Sequence, residues 1–495
     1  MTMLGDIRSE IKKIFSPGRG QQSQVAKNFF WLGFSELINR LLKLVLIIFV
    51  ARMLGAVEYG KFTSAMAFAS IFFIFTDPGL SQIMIREFSK ETGKEKDISA
   101  LLSLESILSL AALFFLWAGS FIITSDSQIR VLIWIMGMFV VSESFMSLAF
   151  SFFQARQKMH YLALAKISES LIVTAIGFYA LFFQPSVFNL SLGYLAGAAS
   201  VAFVLMIILN WKFLPLKADF KRSVWAEYLR YSWPLALSGI FVLLYTNIDS
   251  VMMMHMGKIA ENGYYNAAQK IAAVSLIPAT LAGVAFFPML SRLFKGPEEK
   301  LRNIWSIYFN AAIFLAVPIL FGGVALAPKI IDLVYSSEYL PSVQAFQILI
   351  LMMAMNMVSF PFSHILLAFN QQKKIFWVTA FGAVLNIGFN IFLIPRYSLY
   401  GAAWASVIAF SAMLFSFVLL ASKETPIKIF EERTSLNFLV VLFSGTVMYL
   451  AVSQPLVSGL HPLLSVSIGA AIYSVCFFTG TILAGISGRK HLFLK

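Results

Sequence analysis

The sequence predicts an all-α membrane protein of about fourteen transmembrane helices, each span needing about 20 apolar residues to cross the hydrocarbon core. Three observations carry that prediction. The chain has 495 residues, 59% of them apolar. Only 13% are charged, about half the share of an ordinary soluble domain. The 38 Lys and Arg residues are also distributed with a period that follows the apolar runs. Together these exclude a soluble enzyme, a disordered chain and a fibrous repeat.

The elements follow in order. The first 27 residues are polar and basic, and they lack the apolar core and early cleavage site of a signal peptide. Leu4, Ile7, Ile11 and Ile14 recur at helical spacing with Arg8, Lys12 and Lys13 opposite. That pattern reads either as a short amphipathic helix on the inner membrane face or as a frayed tail. Spans are then expected at 28–51, 60–83, 98–122, 129–152, 161–183, 190–211, 229–253, 265–289, 304–326, 343–368, 376–394, 399–421, 436–454 and 462–486. Span two is interrupted at Asp77-Pro78-Gly79, and span ten carries Pro361. Pro234, Pro278, Pro288 and Pro318 also fall in or near spans seven to nine, where proline permits bending or is passively tolerated.

Charge tests the count. With the N-terminus inside and strict alternation, 28 of the 38 Lys and Arg residues fall on inner segments and six on outer ones. The remaining four, Arg40, Lys43, Lys166 and Lys270, lie within spans. Both termini are therefore expected in the cytoplasm, in a multi-pass protein of the cytoplasmic membrane. The net charge of +14 is a topology signal rather than a nucleic-acid footprint. The longest outer loop, about 327–342, is too short to build an extramembrane domain. A membrane-embedded glycan polymerase or ligase thus lacks a place for its chemistry. Cys476 is the single cysteine. His160, His255, His364, His461 and His491 share no ligand spacing, and no phosphate-cradling loop or nucleophile elbow occurs. Neither enzymatic activity nor a cofactor or metal is expected.

An internal repeat is visible. Phe153, Lys158 and Tyr161 after span four match Phe369, Lys374 and Trp377 after span ten. Met53, Gly55 and Tyr59-Gly60 after span one are echoed by Met256-Gly257 and Gly263-Tyr264-Tyr265 after span seven. Gly193 opening span six resembles Gly401 opening span twelve. Spans one to six then repeat as seven to twelve, a parallel pseudo-repeat suited to a transporter. The expected organisation is an N-terminal segment 1–27, a first six-helix lobe 28–220, a second 221–422, and an appended helix pair with a short tail, 423–495.

The stretch Val50-Ala-Arg52-Met-Leu-Gly55-Ala-Val-Glu58-Tyr59-Gly60-Lys61 resembles the opening signature of the polysaccharide (oligosaccharide) flippases. These are Wzx-like, O-antigen-type members of the multidrug/oligosaccharidyl-lipid/polysaccharide exporter superfamily. Phe75-Thr-Asp77-Pro78-Gly79-Leu80 and Arg86-Glu87 continue the resemblance at the end of span two. It implies two six-helix bundles in a V around a central cavity, working by alternating access in a bacterial or archaeal cytoplasmic (inner) membrane. It also implies a lipid-linked cargo, an undecaprenyl-pyrophosphate-linked oligosaccharide moved from the inner to the outer leaflet for polysaccharide biosynthesis. Relatives in the same superfamily are cation-coupled multidrug exporters and peptidoglycan-precursor lipid flippases.

Charged residues inside the spans narrow the site, because each costs roughly 2.5–3.5 kcal/mol at mid-bilayer unless wet or paired. Glu36, Asn39, Arg40 and Lys43 share one face of span one. Arg40 and Lys43 are assigned to the cargo diphosphate, with Asn39, Lys166 and Lys270 beside them as further substrate-binding residues. The same stripe also reads as a structural pair, Glu36 neutralising Arg40. Lys166 and Glu169, three residues apart, are placed to pair with each other. Asp77 is either a cap on the Pro-Gly break or a proton site. Glu105 is expected to reach the inner interface. Asp249 and Lys270, accompanied by Asn247 and Gln269, are the charges of the second lobe. Four bases against six acids leave the spans net acidic, which suits coupling to H⁺ or Na⁺ through Glu36, Asp77, Glu143, Glu169 and Asp249 in an antiporter.

Overall fold

The computed structural model describes residues 21–90, 94–294, 296–427, 432–483 and 485. The expected N-terminal amphipathic segment, Leu4 to Ile14, lies outside them. The described chain is helical throughout: α1 Gln21–Ile71, α2 Phe73–Thr76, α3 Leu80–Lys90, α4 Ile98–Ile123, α5 Ser127–Ala155, α6 Met159–Phe183, α7 Val187–Lys212 and α8 Arg222–His255. There follow α9 Ile259–Val274, α10 Ile277–Arg292, α11 Glu298–Tyr335, α12 Ser342–Ala368, α13 Gln372–Glu424, α14 Glu432–Val452, α15 Pro455–Ser458 and α16 Pro462–Leu483. Among the described residues, nine helices are by themselves long and apolar enough to span a bilayer.

Backbone breaks reconcile that number with the apolar runs. α13 covers 53 residues and holds Ser398 at φ +54°, so the two expected spans 376–394 and 399–421 are joined end to end. α1 likewise covers 51 residues across Gly55 at φ +78°, a left-handed conformation that favours glycine. α9 and α10 are bent by 42° and together cover the expected eighth span. Asp77-Pro78-Gly79 does break span two, between α2 and α3. Pro361 breaks nothing: α12 runs through it unbroken.

The chain forms two compact units, Met1–Leu54 with Ser64–Leu243, and Gly55–Thr63 with Leu244–Lys495. Lengths of α1 and α8 thus belong to each. In the first unit α5 packs on α4, α6 and α7. In the second, α12 packs between α11 and α13, and the C-terminal α14 and α16 pack on α11. The left-handed turns clarify the repeat. Gly55 and Gly257 both have positive φ, as do Gln157 and Asn370. The second pair is 213 residues apart, so the turns after spans four and ten align three residues away from the Phe-Lys-aromatic match.

Segment 55–63 is clasped within the second unit. A Cβ on Gly60 would lie 1.9 Å from the Ile259 carbonyl oxygen, and one on Gly263 would lie 2.0 Å from that of Ala56. Asn262 Nδ2 donates to the Gly60 carbonyl at 3.4 Å and to Thr63 Oγ1 at 3.3 Å. The Ala56 N–H donates to Glu338 Oε1 at 2.9 Å, satisfying a backbone group freed by the turn at Gly55. Small residues let membrane helices approach this closely.

Candidate functional site

The first unit gathers most of the expected site residues into one network. α1 presents Glu36, Asn39, Arg40 and Lys43 on one face, and α6 presents Lys166, Glu169 and Ser170. Glu36 holds two cations: Arg40 Nε donates to Oε1 at 2.8 Å and Lys166 Nζ to Oε2 at 3.1 Å. Lys43 Nζ donates to Glu169 Oε1 at 2.9 Å, and Ser170 Oγ donates to Asn39 Oδ1 at 2.6 Å. Glu143 of α5 lies within electrostatic reach of Glu169, Lys43 and Lys166.

The expected pair within α6 is therefore corrected. Lys166 and Glu169 reach across to α1 and take different partners, because the facing helix offers each an opposite charge at hydrogen-bond distance. Within this network three carboxylates, Glu36, Glu143 and Glu169, lie among three cations, so the acidic excess of the spans falls on the other acids. The network grades from wet to dry. Arg40 has a side chain 60% exposed, Lys43 29% and Glu169 4%. An exposed, weakly held Arg fork beside a half-buried Lys is suited to meet an entering anion.

Asp77 and Glu105 stand apart from that network. Asp77 Oδ1 accepts from the Ser81 N–H at 3.1 Å and its Oδ2 accepts from Ser147 Oγ at 3.2 Å, so it caps α3 and ties it to α5. Glu105 does not reach the interface; it is buried and accepts from Ser144 Oγ on α5. Antiparallel packing of α4 on α5 carries it inward.

The second unit holds a different arrangement. Asp249 of α8 is 3% exposed and is surrounded by neutral donors. Tyr265 Oη donates at 2.5 Å, Asn390 Nδ2 at 2.5 Å and Ser406 Oγ at 2.8 Å. Asn386 Oδ1 accepts from Asn390 Nδ2 at 3.1 Å, and Asn386 Nδ2 donates to Ser406 Oγ at 3.3 Å. Asn390 Oδ1 is buried without a partner. No cation pairs with Asp249 among the described residues. Lys270, the other charge expected in the spans of the second lobe, is exposed and makes no hydrogen bond or ion pair among the described residues. The shell of Asp249 escaped sequence reading, although Asn386 and Asn390 on one face of an apolar span were a legible signal. Among the described residues, no group of three or more His, Cys, Asp or Glu side chains could hold a metal ion.

Comparison with known proteins agrees with this architecture. The polysaccharide biosynthesis protein family matches residues 25–294, and the MatE family matches 234–392. An uncharacterized membrane protein of Methanocaldococcus jannaschii is 23% identical over 80% of this chain and 83% of its own. A probable low-salt glycan biosynthesis flippase of Haloferax volcanii is 24% identical over 39% of this chain and 41% of its own. Among solved structures, the lipid II flippase MurJ in an inward closed conformation superposes with a TM-score of 0.77 at 17% identity, covering 92% of this chain and 99% of its own. That likeness establishes the fold.

Proposed function

The chain belongs to the polysaccharide biosynthesis protein family, within the multidrug/oligosaccharidyl-lipid/polysaccharide exporter superfamily, and from that premise we propose that it flips an undecaprenyl-pyrophosphate-linked oligosaccharide from the cytoplasmic to the outer leaflet. The observation that carries this reading is the graded network of Arg40, Lys43 and Lys166 inside the spans. Arg40 is the first contact for the diphosphate, since exchanging one exposed carboxylate for two phosphate oxygens costs its guanidinium little. Lys43 and Lys166 take up the charge deeper in the first unit. The flippase activity named for the Haloferax relative supports a lipid-linked glycan as cargo. Reconstituted Arg40→Gln protein should flip a pyrophosphate-linked glycan at least about fivefold more slowly than wild type, the loss of one charge-assisted contact. A neutral glycolipid should show no such difference; equal slowing of both would remove Arg40 from phosphate recognition.

Coupling to an ion rests on Asp249. A buried carboxylate among neutral donors, with the amide oxygen of Asn390 unpartnered beside it, is suited to hold a proton or a dehydrated Na⁺. Asp249→Asn should abolish the dependence of flipping on a proton or sodium gradient while leaving slow, gradient-independent exchange. Full retention of that dependence would exclude Asp249 as the coupling site. A second reading, cation-coupled multidrug export, draws support from the MatE match over 234–392.

A further inference from the structure

His364 of α12 takes part in neither cluster, yet side chains of α10, α11 and its own helix pack against its ring. Tyr308 of α11 is 1% exposed, and its hydroxyl lies 2.9 Å from His364 Nδ1. Phe286 of α10 stacks on the Tyr308 ring at 4.8 Å, while Phe360 and Phe287 flank the imidazole at 5.8 and 5.5 Å. A Cβ on Gly283 would come within 2.6 Å of His364 Cε1, so α10 holds the ring at close range.

The hydrogen-bond pattern decides where the imidazole proton sits. Tyr308 is sealed, and Nδ1 is the one partner of its hydroxyl among the described residues. A buried phenol that did not donate would leave its proton unsatisfied at a cost. Tyr308 therefore donates, Nδ1 accepts, and the imidazole carries its hydrogen on Nε2. Nε2 has no partner among the described residues, and the residue is partly exposed. A free N–H turned to hydrocarbon is penalised, so this donor calls for a polar acceptor. Aromatic rings packed about one free donor make a recognition element for a hydroxyl-rich or phosphorylated group.

We propose that the Nε2–H of His364, held by Tyr308 and walled by Phe287 and Phe360, hydrogen-bonds an acceptor oxygen of the cargo headgroup. This inference rests on the flippase reading and adds a specificity contact in the second unit. The test uses full-length protein in proteoliposomes with a fluorescent polyprenyl-pyrophosphate oligosaccharide. His364→Phe should raise the half-saturating cargo concentration about three- to tenfold, the loss of one hydrogen bond, with the maximal rate within about twofold of wild type. His364→Gln, which keeps a donor, should recover most of the loss. Sugar-free polyprenyl pyrophosphate as competitor separates the sources: weaker competition against His364→Phe assigns the contact to phosphate, and unchanged competition assigns it to sugar. Unaltered half-saturation in His364→Phe overturns the proposal. Should that variant fail to fold, Gly283→Ala carries the test by displacing the ring, and unaltered half-saturation there also overturns it. Wild-type protein that moves no lipid-linked glycan overturns the flippase reading itself.

Discussion

Lys43→Met should unfold the first unit at markedly lower temperature and abolish flipping. Lys43 neutralises Glu169, whose side chain is 4% exposed, at 2.9 Å, and it also lies in the field of Glu143. Removing one partner of a buried pair leaves an uncompensated charge, at a cost of about 3–5 kcal/mol. Glu169→Gln in the same background removes that charge and should restore much of the thermal stability. It should not restore flipping, because the cation assigned to the diphosphate is still missing. The measurement is a thermal melt of detergent-solubilised protein followed by size-exclusion, set beside flipping in proteoliposomes. If the double variant flips at the wild-type rate, Lys43 serves packing and not cargo.

Gly60→Ala and Gly263→Ala should each destabilise the second unit by about 3 kcal/mol, the upper end of overpacking costs. Each new methyl would sit 1.9 or 2.0 Å from a backbone oxygen of the opposing helix, and backbone cannot swing aside as a side chain can. Both substitutions open the same contact, so the double variant should cost much less than the sum. Gly388→Ala is the control: nothing lies within 4 Å of its Cβ. It should be neutral or stabilising by up to about 1 kcal/mol through helix propensity. Melting points that rank Gly60→Ala with Gly388→Ala would contradict the backbone contact between residues 56–60 and 259–263.

The spans were legible because a bilayer demands a fixed apolar length and the loops record their side in Lys and Arg. What fails is continuity. Gly55 and Ser398 turn the chain without ending helical hydrogen bonding on either side, so α13 carries two expected spans and α1 carries the first span and the start of the second. Within one helix the face of span one was readable from offsets alone, and Glu36 with Arg40 is the result. Partners across helices were not: Lys43 and Glu169 are 126 residues apart, and Asp249 and Asn390 are 141 apart. Helical spacing constrains only neighbours on one helix, which is why spacing alone pairs Lys166 with Glu169. The acidic excess alone does not say which acids are paired. Counting charges by span cannot distinguish Glu36, which holds two cations, from Asp249, which has none among the described residues.

What crosses the bilayer decides between a glycan-lipid flippase and a drug exporter. Purified protein in proteoliposomes, offered a fluorescent undecaprenyl-pyrophosphate oligosaccharide in the lumenal or outer leaflet and a cationic dye in parallel, gives the direct measurement. Transfer of the glycan lipid between leaflets, accelerated by a proton or sodium gradient, is the predicted result. Transport of the dye while the glycan lipid stays in its leaflet would contradict it.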